Sequence, residues 1–209
     1  MSPRPLTVAL QKGRVQKSLI TLFTRAGIDV SALEADGRHL IRESADGRMR
    51  FLLLKPDDVP TYVEFGAADL GVSGRDMLLE RSYDLYQPLD LGIGRCRMVV
   101  AGPVERRAIP DVPRVATKYP RVAAQHFSRR GVQAEIILVQ GSVELAPLVG
   151  LADLIVDLVE TGSTLKENHL AVFEEIAPIS SVLIANRAAY KLRSAEIAPI
   201  LSALAAAIQ

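Results

Sequence analysis

The chain has 209 residues, of which 49% are hydrophobic and 23% charged, so it can bury a real core and wholesale disorder is excluded. The 25 lysine and arginine residues balance 24 aspartate and glutamate residues, and the net charge of +1 argues against a non-specific nucleic-acid binder. The single cysteine, Cys96, excludes internal disulfides and cysteine-cluster metal sites. Neither a signal peptide nor a long uncharged apolar run is present, which predicts a cytoplasmic protein with no membrane partner.

Short apolar runs, glycine-bearing turns and amphipathic stretches alternate along the chain, a pattern typical of α/β proteins with mostly parallel sheets. In chain order the predicted strands are residues 6–10, 39–42, 49–54, 68–72, 97–101, 115–117, 136–139, 154–159 and 182–185. The predicted helices are residues 15–26, 57–64, 75–80, 120–130, 142–149 and 164–169. A last helical stretch begins at Ala188, and Pro199 should bend or restart it. This strand content favours two α/β lobes around a cleft, with residues 89–113 as a crossing between them.

The strongest chemical motif is a buried strand, residues 154–159, that leads into a hydroxyl-rich turn and a helix. A glycine in the turn lets the backbone approach an anion, and the hydroxyls and helix N-terminal amides can donate hydrogen bonds to a phosphate. Two carboxylates beside it would repel a bare phosphate, but they suit ribose hydroxyls or a magnesium ion. The predicted sugar-phosphate ligands are Asp157, Glu160, Thr161, Gly162, Ser163 and Thr164. An ordinary N-cap at Thr161 or Ser163 is the alternative.

Two other turns could contact a nucleotide. Lys12, Gly13 and Arg14 follow the first strand at a predicted helix N-terminus, where phosphates bind readily, and a solvated basic turn is the alternative. A second segment is a strand followed by a glycine turn, whose backbone could approach a planar base. Its candidate residues are Asp69, Leu70, Gly71 and Val72. The alternative there is a tight strand-to-helix turn capped by Asp69.

A second group of candidates consists of charged or polar residues that could contact polyanionic substrates. They are Arg38, Lys55, Arg95, Lys118, Ser142 and Glu144. For the four cations a solvated surface charge is the alternative, and for Ser142 and Glu144 it is helix capping.

Residues 144–165 resemble the signature of the ATP phosphoribosyltransferase family, the first enzymes of histidine biosynthesis. Further blocks are similar to those of the same family and follow its order, so the resemblance covers nearly the whole chain. These blocks are residues 9–14, 58–63, 66–76, 89–97 and 116–120. The family shows arginine where Lys55 stands, and a lysine lacks the bidentate fork of arginine.

The resemblance implies a magnesium-dependent glycosyltransferase that joins N1 of the ATP adenine to the anomeric carbon of phosphoribosyl pyrophosphate and releases pyrophosphate. It implies that residues 161–164 hold the 5-phosphate and that Asp157 and Glu160 bind the ribose hydroxyls. Lys12 and Arg14 would contact phosphates, residues 69–72 would lie on the ATP side of the cleft, and the magnesium ligands stay open. The candidate catalytic residues are Asp157, Glu160, Lys12 and Arg14.

The resemblance also implies a fold like the type II periplasmic binding proteins, with a discontinuous first lobe. We expect residues 1–91 plus 181–209 in one lobe and 92–180 in the other, with the C-terminal helix closing the first lobe. Because the chain ends at Gln209, the short form of the family is expected. That form implies a homodimer within a hetero-octamer, together with a regulatory subunit similar to histidyl-tRNA synthetase.

Two other functions are compatible with parts of this pattern. A non-catalytic binding module of the two-lobed type would explain the α/β alternation but leaves the segment 157–164 without a purpose. A phosphoribosyltransferase acting on a free base such as uracil or orotate would use that segment, but not the blocks at residues 12–14 and 69–74.

Overall fold

Two mixed β-sheets, one in each of two units of the chain, organise the protein in its computed structural model. The structure describes residues 4–13, 15–34, 38–105 and 109–208. Unit 1 contains the described residues up to Leu78, those of Ser82–Gly94 and those from Ser180 onward. Unit 2 contains Leu79–Arg81 and the described residues of Arg95–Ile179.

The elements are numbered along the chain. The strands are β1 (Leu6–Gln11), β2 (Ile41–Glu43), β3 (Met49–Leu54), β4 (Leu70–Gly74), β5 (Leu85–Asp90), β6 (Cys96–Pro103), β7 (Arg114–Thr117), β8 (Glu135–Leu138), β9 (Leu154–Val159), β10 (Leu170–Ile179) and β11 (Ser181–Asn186). The helices are α1 (Gln16–Arg25), α2 (Ser31–Glu34), α3 (Val59–Glu64), α4 (Arg75–Glu80), α5 (Pro120–Arg129), α6 (Leu145–Leu148), α7 (Ser163–Glu167), α8 (Arg187–Leu192) and α9 (Ser194–Ile208). A 3-10 turn at Pro56–Asp58 leads into α3.

Both sheets are mixed, so the prediction of mostly parallel sheets is wrong. Within the described residues the strand order is β2-β3-β1-β4-β11-β5 in unit 1 and β10-β6-β9-β7-β8 in unit 2. Strand β1 is parallel to β3 and β4, and β7 is parallel to β8 and β9, whereas the other pairs are antiparallel. Antiparallel neighbours need no helical crossover, and a tight turn with Gly47 at φ 68° joins β2 to β3.

The predicted α/β class is confirmed, although the sequence pattern missed two strands. Strand β5 contains Pro88 and lies at the edge of its sheet, where proline is tolerated but its strand signal is weak. Strand β10 changes register twice, between Val172 and Glu174 and between Glu175 and Ala177. Each irregularity breaks the period-two alternation of side chains, so the pattern cannot be recognised in the sequence.

The C-terminal helices differ from the prediction at Pro199. The helical structure is interrupted at Arg193, between α8 and α9, while α9 continues through Pro199. Pro199 and Ala195 are both exposed, so water can hydrate the carbonyl that the proline cannot bind.

The C-terminal helix closes unit 1, as predicted. Ile197, Leu204 and Ala207 of α9 are buried in the core that α1 and the strands of unit 1 form around Phe23 and Phe51. Burial of such apolar surface is the main stabilising contribution to a fold of this kind. Among the described residues no helix is both long enough and apolar enough to cross a bilayer.

Unit 2 has a core on each face of its sheet. Strand β9 contributes to both, because successive side chains of a strand point to opposite faces. Val156 packs on one face with Met98 and Phe127. Ile155 packs on the other face with Leu165 of α7.

Candidate functional site

Most of the predicted site residues of unit 2 lie at one end of its strands, and this end is called the edge of the sheet from here on. The parallel strands β7, β8 and β9 end at this edge, where open α/β sheets bind their ligands. Strand β6 begins there, because Arg97 is the antiparallel partner of Val159. The structure thereby brings together loops that are far apart in the sequence. Their candidate residues are Arg95, Lys118, Ser142, Glu144, Glu160, Thr161, Gly162, Ser163 and Thr164.

The loop between β9 and α7 has the geometry of an anion site. Gly162 has a φ of 81°, in the left-handed region, and caps α7 without a side-chain hydrogen bond. The Oγ1 of Thr161 lies 3.1 Å from the Oγ of Ser163, and both hydroxyls are near the surface. In the described part of the chain, the amides of Gly162 and Thr164 have no hydrogen-bond partner. The loop therefore presents two free amide donors together with two surface hydroxyls that could turn to bind a ligand.

Asp157 lies on the face of β9 that carries Ile155 and Val159. Its Oδ1 accepts a hydrogen bond of 2.8 Å from its neighbour Leu158, through the amide nitrogen. Burial raises the pKa of Asp157 above its usual range. The Leu158 hydrogen bond and the Lys118 ammonium oppose this shift, and the Glu144 carboxylate adds to it. Asp157 is thus a carboxylate with unused acceptor capacity and a charge that its surroundings balance poorly.

A second helix N-terminus in unit 2 is already occupied. The carboxylate of Glu80 accepts hydrogen bonds of 3.0 Å from the amides of Arg121 and Val122, at the first turn of α5. The start of α5 therefore has its own anion, whereas within the described residues no carboxylate is bonded to the first amides of α7.

In unit 1 three of the predicted cations lie at the corresponding edge. Lys12 follows β1, and its amide donates a 2.9 Å hydrogen bond to the carbonyl of Leu54, one residue before Lys55. Arg38 precedes β2, whose N-terminal end lies at the carboxyl end of β3. Gly13 has a φ of 109° and open space around its Cα. Arg14 lies outside the described residues.

The segment from Asp69 to Val72 does not lie at that edge. Asp69 precedes β4, at the opposite end of the sheet from Gly13, and its side chain is only 1% exposed. Leu70 and Val72 are buried in the core, within a strand that is paired on both sides. A Cβ on Gly71 would lie 2.6 Å from Val63, so this glycine is explained by the close packing of α3.

The carboxylate of Asp69 is fully used within the protein. It accepts hydrogen bonds from Arg4 at 2.7 Å, from Arg193 at 2.8 Å and from the Thr7 amide at 2.8 Å. These contacts explain its position next to β4 without any ligand, and they were not evident in the sequence because the partners are distant along the chain.

The donor set at the edge of unit 2 suits a magnesium ion that arrives with a phosphorylated ligand. Among the described residues no three His, Cys, Asp or Glu side chains form a group that could hold a metal. Magnesium is usually bound by one or two carboxylates together with substrate phosphates, so it does not require such a group. Asp157, Glu160 and Glu144 supply carboxylates of this kind at the edge.

Comparisons with known proteins agree on one family. The family model described as "HisG: ATP phosphoribosyltransferase" matches residues 55–206. A curated ATP phosphoribosyltransferase of Sorangium cellulosum is 66% identical over 204 residues, which cover 98% of this chain and 96% of the relative.

Solved structures show the same fold. The "ATP phosphoribosyl transferase (HisG:HisZ) complex from Thermotoga maritima" contains a chain with a TM-score of 0.84 and 38% identity, covering 97% of this chain and 98% of that one. The alkanesulfonate-binding protein SsuA of Xanthomonas axonopodis pv. citri matches with a TM-score of 0.59 at 12% identity, covering 99% of this chain and 74% of that one. The second match concerns the fold alone, and it confirms the predicted likeness to binding proteins.

Proposed function

Because the chain belongs to the ATP phosphoribosyltransferase family, we propose that it joins N1 of the ATP adenine to the anomeric carbon of phosphoribosyl pyrophosphate in the first step of histidine biosynthesis. The main structural support is the loop after β9, which offers unpaired amides and two surface hydroxyls a few residues after Asp157, a carboxylate whose pKa is raised by burial. That combination suits a ligand with a phosphate next to sugar hydroxyls.

The chemistry requires placement more than proton transfer. The N1 lone pair of adenine forms the new bond to the anomeric carbon while the carbon–oxygen bond to the diphosphate breaks, and the electron pair of that bond leaves with pyrophosphate. N1 is unprotonated at neutral pH, so no general base is needed at the nucleophile. The protein can accelerate such a step by aligning the two substrates and by placing charges near the leaving group and the cationic sugar.

In unit 2 we assign the 5-phosphate of the donor to the loop after β9. Thr161, Ser163 and Thr164 offer hydroxyls, and Gly162 adds an amide without a side chain in the way. Asp157 and Glu160 accept hydrogen bonds from the ribose hydroxyls, and the anionic form of Asp157 also favours positive charge developing on the sugar. The loop therefore both binds the donor and fixes the anomeric carbon.

In unit 1 we assign the phosphates of ATP or of the leaving diphosphate to the edge that presents Lys12, Gly13, Lys55 and Arg38, with Arg14 as a further candidate outside the described residues. Asp69 is left out of this assignment because Arg4 and Arg193 use its carboxylate.

We also propose dependence on magnesium and on a partner. Asp157 and Glu160 would hold the ion together with the diphosphate, and the ion would supply positive charge to the departing oxygens. The Thermotoga maritima relative is solved as a HisG:HisZ complex, which supports a similar regulatory subunit here. The expected assembly is a homodimer of this chain within a hetero-octamer. The predicted lobes, residues 1–91 plus 181–209 and 92–180, are proposed to follow units 1 and 2.

The test is an assay of pyrophosphate release. The purified chain, alone and with a HisZ-type subunit, is mixed with phosphoribosyl pyrophosphate, magnesium and either ATP, uracil or orotate. We expect release with ATP alone among the three acceptors, and loss of release when magnesium is chelated. Binding of both substrates without release, in the presence of the subunit, would instead favour the binding module that the likeness to SsuA suggests. Release with a free base would favour the other class of phosphoribosyltransferase.

A further inference from the structure

A buried threonine links strand β9 to the segments that follow β7 and β8 in unit 2. Thr117 is the last residue of β7, and its side chain is completely buried. Its Oγ1 donates a hydrogen bond of 2.7 Å to the carbonyl of Val156 and accepts one of 2.8 Å from the amide of Tyr119. Its carbonyl accepts a third, of 3.0 Å, from the amide of Val139.

Each of these contacts involves the main chain next to a candidate site residue. The Val156 carbonyl belongs to the peptide bond that carries Asp157, and the Tyr119 amide belongs to the peptide bond that follows Lys118. Val139 begins the segment that leads to Ser142 and Glu144. One residue therefore fixes the loops whose charges act on Asp157.

We propose that Thr117 is a positioning residue for the phosphoribosyl donor: its hydroxyl holds the main chain of Lys118 against that of Asp157, so that both side chains face the same ligand. The inference rests on the proposed function, since it gives these two side chains a common ligand. A hydroxyl suits the task because it donates to one strand and accepts from the turn at the same time. An apolar residue of equal size would fill the space but leave the Val156 carbonyl without this donor.

The experiment compares substitutions at Thr117 with a matched change elsewhere. Thr117→Val keeps the shape and removes both side-chain hydrogen bonds, Thr117→Ser keeps the hydroxyl, and Thr117→Cys replaces it with a weaker hydrogen-bonding group. Thr7→Val is the control, because Thr7 is also buried in a strand but its hydroxyl makes only a 3.5 Å contact with Pro5, in unit 1. The titration of each full chain uses phosphoribosyl pyrophosphate with magnesium and, separately, ATP.

For Thr117→Val we expect binding of the donor to weaken about 10-fold, the size expected when one or two buried hydrogen bonds are lost. Binding of ATP should change less than about two-fold, because its proposed contacts lie in unit 1, and Thr117→Ser and Thr7→Val should resemble the wild type. If Thr117→Val does not fold, Thr117→Cys must show an intermediate loss for the donor alone.

Four outcomes would overturn the inference. Donor binding of the Val variant equal to that of the wild type would show that the hydroxyl does not position the site. Equal weakening for ATP and the donor, or failure of the Ser variant to restore binding, would reduce Thr117 to a structural role. Absence of donor binding and pyrophosphate release in the wild type would overturn the proposed function, and this inference with it.

Discussion

Asp69 in unit 1 lies directly before the central strand β4, and Asp157 in unit 2 lies on the central strand β9, yet the partners of the two carboxylates differ. Asp69 is 1% exposed and accepts hydrogen bonds from two guanidinium groups and an amide. Asp157 accepts one hydrogen bond, from the amide of Leu158, and its pKa is raised by burial. The Glu144 carboxylate adds to this shift and the Lys118 ammonium opposes it. The partners of Asp69 explain that carboxylate by the fold alone, whereas we propose that the carboxylate of Asp157 is retained for a ligand. Both types of carboxylate look the same in the sequence.

The helix starts in the two units repeat this contrast. At α8 the Asn186 side chain accepts hydrogen bonds from the amides of Ala188 and Ala189, at 3.0 Å each. At α7 the capping residue is Gly162, which has no side chain for the task. A helix whose first amides are satisfied by a side chain has no need of an anion, whereas the start of α7, which has no side-chain cap, is proposed to bind a phosphate.

The largest expected effect on stability is that of Asp69→Ala. Removing one partner of a buried ion pair costs about 3–5 kcal/mol, and here it leaves the Arg193 guanidinium, which is 12% exposed, without its buried partner. Urea unfolding measures the change. Glu196→Gln is the matched control, since it removes the exposed partner of the same arginine and should cost less than about 1 kcal/mol. Equal costs for the two variants would contradict the contrast drawn above.

Asp157→Asn should act on turnover instead. We expect kcat to fall about 100-fold, in the range for loss of one group that stabilises charge in the transition state. The fold should stay intact, because an asparagine oxygen can still accept the hydrogen bond from Leu158. Steady-state kinetics and a thermal melt check both statements. Unchanged turnover would assign Asp157 a structural role after all.

The stability of the same variant should depend on pH with a defined sign. Since the pKa of Asp157 is raised in the folded state, ionisation disfavours folding as pH rises above the unfolded value of about 3.9. As pH rises, the free energy of unfolding of the wild type should therefore fall relative to that of Asp157→Asn. In acid the free energies of unfolding of the two proteins should become equal. Urea unfolding at several pH values tests this, and a variant that is less stable at neutral pH would refute it.

Thr161→Ala should weaken binding of phosphoribosyl pyrophosphate about 10-fold, because one hydrogen bond to a charged phosphate is lost. ATP binding should not change. Thr21→Ala, at an exposed threonine of α1, is a suitable control for the calorimetric titration. Equal loss for both ligands would mean that the loop does not hold the donor's phosphate.

The smallest effect on activity is expected at the helix start of α8. Asn186→Ala should lower the free energy of unfolding by about 1–2 kcal/mol, because it removes the cap and the hydrogen bonds from the side-chain amide to the carbonyls of Val63 and Glu64. Turnover per folded molecule should be that of the wild type. A large loss of turnover would show that this end of unit 1 is not purely structural.

Sequence reasoning predicted the strand, the turn and the helix around residues 157–164 because these features are contiguous. An apolar strand, an acidic residue, a glycine with positive φ and hydroxyl residues at a helix start all lie between Leu154 and Glu167. The apolar run that predicts β9 and the turn chemistry that ends it depend on near neighbours alone. The same reasoning misplaced Asp69, since a strand followed by a glycine turn does not show which end of the sheet an aspartate occupies.

What the sequence by itself determined is the α/β class, the core strands and the local chemistry of the residues 157–164, because each depends on patterns only a few residues long. Only the tertiary structure decided that the loops carrying Lys118, Glu144 and Glu160 share one edge, and that Arg4 and Arg193 use Asp69. It also decided that Thr117 links β9 to the segments after β7 and β8. These relations join residues tens of positions apart, and sheet order and register, which short-range patterns do not encode, determine which of them meet.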